Sequence, residues 1–414
     1  MPSRLLIVSL YYWPEETGTA PYATDLAEHL AGAGHDVTVL TGLPHYPAWR
    51  VEEGYGRSGV EERAGVRIVR RRHTVPRRQS ALRRAAYEAS FLASALPFRC
   101  QPRPDAVVGF VPSLASGALA RINAARARAA YGVILHDLVG VAAAQTGISG
   151  GQRAATAVAL AERWVMRRAT VVAPLTDLFV PYLTGLGVAE ERIEVLPVWS
   201  RMPPPAADRS HSRRTLGWRD DELVALHAGN MGLKQGLEQL VDAARLADEQ
   251  RLPVRFVLVG DGNQRQALEQ RARGIERIEF RPLVPEADFP AVLAAADVLV
   301  VAERPSVRQM SFPSKLTAYF KAGRPVVAAV DPASPTAREI ERAGAGLVVP
   351  AGDPRKLIDA IITLNGDPAG SSAKAASAQA FARTIMGREV ILSRAEGLVD
   401  RLIARTAAIR GISG

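Results

Sequence analysis

Short apolar runs alternate along this chain with segments whose apolar residues recur every third or fourth position, and glycine or proline stands at most of the joins. Residues 4–12, 37–41, 66–70, 106–110, 132–135, 171–173 and 193–196 read as strands, each too short for a helix and rich in β-branched side chains. Between them a periodic segment starts near Ala20, carries Tyr22, Leu26 and Leu30 on one stripe, and stops at Gly32 or Gly34. Further helices are expected over 114–126 and 154–168, with a basic helical stretch before the fourth strand. A strand, helix, strand order over residues 4–41 requires a crossover and therefore parallel pairing.

At Pro197 the pattern breaks. Residues 198–221 contain Pro203-Pro204-Pro205 and then polar residues without an apolar period, and read as a linker between domains. A second series follows, with strands at 223–227, 254–259, 278–280, 298–301, 326–330 and 346–349 and helices at 236–247, 264–273 and 288–295. The pattern predicts an α/β protein of two tandem doubly wound domains, residues 1–197 and 222–387, with a last helix in 388–414.

In such sheets ligands bind at the carboxyl ends of the strands, which singles out particular loops. Gly18 and Thr19 follow the first strand, and glycine there permits close approach of a ligand to the backbone. His136 ends the strand at 132–135, so it belongs at the crevice and is a candidate for polar chemistry. The segment Ser311-Phe312-Pro313-Ser314-Lys315-Leu316 opens a helix whose Phe312, Leu316 and Phe320 form one stripe and which stops at Gly323. Free amides at a helix amino end, beside Lys315, make a seat for a phosphate.

Composition narrows the class. The chain has 414 residues, 48% apolar and 23% charged, as expected of a globular protein with two cores. Its one cysteine, Cys100, excludes an internal disulfide and a cysteine-based zinc site and fits a reducing cytoplasm. Residues 4–12 are apolar but too short to span a bilayer, with no small-residue cleavage site after them. The formal charge of +10 is concentrated. Ten arginines (67, 70, 71, 72, 77, 78, 83, 84, 99 and 103) face one carboxylate, Glu88, with Leu82, Tyr87, Phe91, Leu92, Leu96 and Phe98 among them. That mixture is expected of a segment resting on anionic lipid. A merely solvated basic face is the alternative, and no nucleic-acid motif accompanies the charge.

Four segments of the second series occur in an order that resembles the nucleotide-sugar half of a GT-B glycosyltransferase of family 4. They are Gly229-Asn230-Met231-Gly232-Leu233-Lys234-Gln235-Gly236-Leu237-Glu238, Val259-Gly260-Asp261-Gly262, Ala295-Ala296-Asp297-Val298, and Pro313-Ser314-Lys315-Leu316 through Gly323-Arg324-Pro325-Val326. The first half adds Gly18-Thr19-Ala20-Pro21, Gly34-His35-Asp36-Val37 and His136-Asp137-Leu138. The details are similar to the bacterial exopolysaccharide branch of colanic-acid and fucosamine-transferase type.

The resemblance implies two Rossmann-like domains with a cleft between them, an acceptor in the first, a nucleotide sugar in the second, and a terminal helix that crosses back. It implies retention of configuration, transfer of a sugar such as an N-acetylhexosamine from UDP, and no cofactor or divalent metal. The acceptor would be lipid-linked or otherwise hydrophobic, and the enzyme cytoplasmic and peripheral on the inner face of the cell membrane. Donor-binding positions would be Asn230, Lys234, Gln235, Gly260, Asp261, Arg308, Phe312, Ser314 and Lys315. Gly18 and Thr19 would bind acceptor, and His136 and Lys315 would serve the chemistry.

The chain departs from the general family pattern where it matters. Asn230 and Gln235 stand where an arginine and a lysine usually bind the diphosphate, and Met310 and Ala318 stand where two glutamates usually bind sugar and ribose. Charge on a departing diphosphate must still be met. Lys315 ranks first for that role, with Arg308 and Lys234 behind it. Two other readings stay open: a nucleotide-sugar epimerase, for which Glu303 is the one carboxylate between Asp297 and Lys315, and a binding protein that has lost its chemistry.

Overall fold

The computed structural model describes residues 2–77, 80–140, 152–199, 202–203, 208–305 and 315–411. The chain forms two compact units, residues 1–198 with 389–414, and residues 199–388.

The first unit holds strands β1 (Arg4–Val8), β2 (Asp36–Thr41), β3 (Gly59–Arg63), β4 (Val66–Arg70), β5 (Ala106–Val111), β6 (Tyr131–Leu135) and β7 (Val171–Pro174). They lie in the order β3-β4-β2-β1-β5-β6-β7. Every neighbouring pair is parallel except the β3–β4 hairpin at the edge. The chain leaves β1 in one direction for β2 and reaches β5 on the other side later. The order therefore reverses at β1 and β5, which puts their carboxyl-end loops at the topological switch. Strand β3 is absent from the sequence prediction because GVEER is mostly polar and exposed, as an edge strand can be. Residues 193–196 are not a strand; Ile193 makes one isolated bridge to Val172.

The last helix, Arg388–Arg410, belongs with this unit. Thr406 Oγ1 accepts from the Ala130 N–H at 2.8 Å, and Arg410 donates to Asp105 at 2.9 Å. Leu398 and Leu402 lie buried over Gly132.

The second unit is a six-stranded parallel sheet. Its strands are β8 (Leu223–Ala228), β9 (Val254–Val259), β10 (Ile278–Arg281), β11 (Val298–Ala302), β12 (Val326–Val330) and β13 (Gly346–Pro350), in the order β10-β9-β8-β11-β12-β13. Both faces are covered, which is why these strands read as unbroken apolar runs. On one face Val224, Leu226, Leu299 and Val301 pack with Leu316, Tyr319, Phe320 and Ile340; on the other, Ala225, Leu258 and Val300 pack with Leu240, Val241 and Leu357.

The expected linker needs correction. Within it Arg209–Leu216 is a helix, capped by Asp208, whose carboxylate accepts from the His211 N–H at 2.7 Å. The anchor is Arg213, 1% exposed, which donates to Asp297 at 3.0 Å, to the Ala295 carbonyl at 3.1 Å and to the Glu222 carbonyl at 2.8 Å. Trp218 then enters the core. A helix held by a buried guanidinium shows no apolar stripe, so periodicity cannot find it.

Candidate donor and acceptor sites

In the second unit the strand order reverses between β8 and β11, and the loops after them carry most of the motif residues. The Gly229 N–H donates to the Val259 carbonyl at 2.9 Å, and the Met231 N–H to the Asp261 carbonyl at 2.8 Å, so the loops after β8 and β9 are stitched together. Gly260 is at φ +144°, and a Cβ there would stand 1.9 Å from the Gly229 carbonyl oxygen. Only glycine permits that approach. On the other side the Arg304 N–H donates to the Lys234 carbonyl at 3.0 Å. The fully buried Tyr319 hydroxyl accepts from the Ala228 N–H at 2.8 Å, tying the loop to helix Lys315–Lys321.

Lys315 opens that described helix and points back over the loop, its Nζ 3.8 Å from where a Gly229 Cβ would be. Beneath it lies His227, 1% exposed. His227 Nδ1 is 3.2 Å from the Val300 carbonyl, which can only accept, so Nδ1 carries the proton and Nε2 accepts from Lys315 Nζ at 3.5 Å. Burial, then the neighbouring ammonium, holds the His227 pKa well below the usual value. Burial also pushes Lys315 down to about 8, against the pull of Glu303. Glu303, just past β11, accepts from Thr336 at 2.6 Å, and burial raises its pKa. The result is a cation over bare backbone with a neutral base behind it. Two nearby arginines are committed: Arg304 pairs with Glu238 at 3.0 Å, and Arg265 with Glu269 at 2.8 Å.

The structure brings Lys315, Gly229, Asn230, Gly260 and Asp261 together. Asp261 folds back to accept from the Gly262 N–H at 2.7 Å, and Lys234 is an exposed side chain in the turn Leu233–Gln235. Gln235 Oε1 is buried with no partner among the described residues. Ala318 packs against the core, at one of the two positions where the family pattern has a glutamate. Arg308, Met310, Phe312 and Ser314, with Ser311 and Pro313, lie outside the described residues. His227 escaped the sequence reading, although the signal that marked His136, a histidine at the end of a strand, was present there too.

In the first unit Gly18 and Thr19 lead into helix Ala20–Gly32, where the Thr19 carbonyl accepts from the Tyr22 and Ala23 N–H groups. Gly18 is at φ +67°, and a Cβ there would meet the Tyr46 ring at 3.3 Å. His136 follows β6, 8% exposed, its ring 5.2 Å from Tyr22 and 5.8 Å from Phe110. Burial pushes its pKa down to about 4, so it is a neutral imidazole near pH 7. Around these loops is a polar and aromatic cluster not foreseen from sequence. Glu15 accepts from the His45 and Tyr46 N–H groups at 2.7 and 2.8 Å, and His45 Nε2 meets the Tyr87 hydroxyl at 2.8 Å. Arg84 stacks over Trp49 and Tyr87 at 5.2 and 5.1 Å and donates to the Tyr11 hydroxyl at 3.3 Å. Of the ten clustered arginines, Arg84 therefore faces inward, as does Arg70, 3% exposed and donating to the Trp13 carbonyl at 2.6 Å.

The chain is similar to known proteins along most of its length. Residues 222–367 match the family described as Glycosyl transferases group 1, and residues 17–199 match the Glycosyl transferase 4-like domain. A protein of Escherichia coli named as a colanic acid biosynthesis glycosyl transferase, WcaI, is 33% identical over 77% of this chain and 81% of its own length. Among solved structures, sucrose-phosphate synthase from Thermosynechococcus elongatus superposes with a TM-score of 0.73 at 20% identity, over 97% of this chain and 100% of that one. Anabaena HepE, solved in complex with UDP, gives 0.67 at 20% identity over 97% and 100%.

Proposed function

This chain belongs to the GT-B glycosyltransferases, and from that premise we propose that it moves a sugar, such as an N-acetylhexosamine, from UDP to a lipid-linked or otherwise hydrophobic acceptor in surface polysaccharide synthesis. The proposal includes retention of configuration and no divalent metal or other cofactor. The observation that carries it is Lys315, a cation at the switch point of the second sheet, set over loops that glycine has stripped of side chains. A diphosphate there meets the Lys315 ammonium, which has a neutral imidazole behind it, and the adjoining carboxylate, Glu303, is engaged by Thr336. Support for UDP comes from HepE, and for polysaccharide synthesis from WcaI.

In this reading the acceptor hydroxyl attacks C1 of the sugar on the face that the diphosphate leaves. The C1–O bond to phosphate breaks, and the acceptor proton passes to the departing phosphate oxygen. Lys315 stabilises the charge that grows on that oxygen. His136, a neutral ring that can donate from one nitrogen and accept at the other, orients the reacting sugar, and Gly18 and Thr19 admit the acceptor.

The acceptor's lipid and an anionic membrane fit the helix Ala81–Ala95. Leu82, Ala86, Ala89, Ala93 and, just beyond it, Leu96 are exposed along one side, with Leu82 at 85%, and Arg77, Arg83 and Arg99 are exposed near them. An apolar stripe flanked by arginines suits an anionic interface. Among the described residues no helix is long and apolar enough to cross a membrane. Incubation with a panel of UDP-sugars and polyprenyl-linked acceptors, read by mass spectrometry, tests the proposal. Transfer to a lipid acceptor is expected. An isomerised nucleotide sugar with no transfer would mark an epimerase, and unchanged donor would mark a protein that only binds.

A further inference from the structure

At the opposite end of the second unit's sheet, away from Lys315, is a recess of about 280 Å3 lined by Arg209, Asp297, Arg324, Asn365, Ser371 and Ser372 among others. Its charges do not balance. Asp297 is shared by two guanidiniums, Arg209 and Arg213, the latter at 3.0 Å. Arg324 approaches as a third, donating from Nε to the Ala294 carbonyl at 2.8 Å and leaving its two terminal nitrogens without a partner among the described residues. Three guanidiniums therefore stand around Asp297, and a second carboxylate, the exposed Asp220, lies 3.7 Å from Arg213. Burial, and then Arg209, push the Arg324 pKa down to about 10 against the pull of Asp297.

The far wall is the first turn of helix Pro368–Thr384. Its leading amides are already satisfied: Asp367 accepts from the Gly370 N–H at 2.9 Å and from the Ser371 N–H at 2.9 Å. Ser371 donates to the Leu364 carbonyl. The Ser372 hydroxyl and the Asn365 amide have no partner among the described residues, so the recess offers neutral donors opposite a free guanidinium fork. No step of the transfer reaction uses these groups.

We propose that this recess is a second anion site, which takes a phosphate group, free or esterified to a small metabolite, between the Arg324 fork and the Ser372 and Asn365 side chains. A tetrahedral oxyanion suits the fork geometrically and offsets the net positive charge. Bound there it ties β12, the helix Arg209–Leu216 and the helix Pro368–Thr384 together, so occupancy stabilises the second unit without touching the donor loops.

The test is thermal unfolding of the full-length protein titrated with inorganic phosphate at constant ionic strength, with 31P line broadening as a second readout. Wild type is expected to show a saturable rise in Tm, and Lys315→Ala to keep the part of it that does not come from the donor site. Arg324→Gln should weaken it by about tenfold or more, the loss of one charge-assisted contact. Ser372→Asp is an exposed change that will fold and places a fixed carboxylate in the recess. It should abolish that part of the phosphate effect while raising Tm by itself. Glucose 1-phosphate binding more tightly than phosphate would identify a metabolite ligand, and equal binding a free anion. An unchanged phosphate response in both Arg324→Gln and Ser372→Asp, its loss in Lys315→Ala, or no response in wild type would overturn the site.

Discussion

Replacing Lys315 by methionine keeps the length of the side chain and removes its charge. In the folded protein the ammonium has a pKa of about 8 rather than 10.5, because it is buried. It is fully charged well below pH 8 and neutral well above it. A diphosphate that binds the charged form therefore meets it almost intact at pH 7 and about nine-tenths neutral at pH 9, so UDP affinity falls about tenfold between them. Uridine carries no phosphate, and its affinity should stay flat. At pH 7 the methionine variant loses the charge-assisted contact, about 1.5–3 kcal/mol, or about 10- to 150-fold in UDP affinity, and its pH profile becomes flat.

Folding has the opposite sign. A depressed lysine pKa means that the folded state holds the cation less readily than the unfolded chain, so the penalty is full below pH 8 and fades as pH rises toward 10.5. Wild type should gain stability over that window relative to the variant. Calorimetry with UDP and uridine at pH 7, 8 and 9 measures the first effect, and urea unfolding the second. Equal losses for UDP and uridine, or a flat wild-type profile to pH 9, would remove Lys315 from the phosphate site.

Gly260→Ala should destabilise by about 3 kcal/mol or more, since its Cβ would sit 1.9 Å from a carbonyl oxygen in a backbone conformation that L side chains rarely adopt; urea midpoints within error of wild type would refute the packing of the two loops. His136→Ala should lower turnover about 10²-fold with UDP affinity nearly unchanged, measured by initial rates and calorimetry, and normal turnover would reduce the ring to packing between Tyr22 and Phe110. Leu82→Glu with Arg83→Gln should weaken binding to anionic vesicles by about 1 kcal/mol for the lost charge and more for the leucine, while transfer to a short soluble acceptor survives. Unchanged sedimentation with vesicles would leave that helix face as a solvated surface.

The order of strands and helices was written in the chain because burial on both faces of a parallel sheet forces unbroken apolar runs, and crossovers force amphipathic segments between them. The motif order carried the family for a similar reason. Gly229, Gly260 and Lys315 serve local backbone geometry and charge, and both are properties of residue type at a fixed place in a loop.

Tertiary structure alone decided how individual polar residues were spent. Arg84 and Arg213 belong to the same arginine-rich composition as Arg83, yet one stacks on Trp49 and Tyr87 and the other is 1% exposed under Asp297. His227 becomes the acceptor for Lys315 only because β8 and helix Lys315–Lys321, 88 residues apart along the chain, meet at the switch point. Hydrophobic pattern records how much surface an element buries. Which partner a buried charge finds depends on distances between elements remote in sequence, and a pattern along one chain does not contain them.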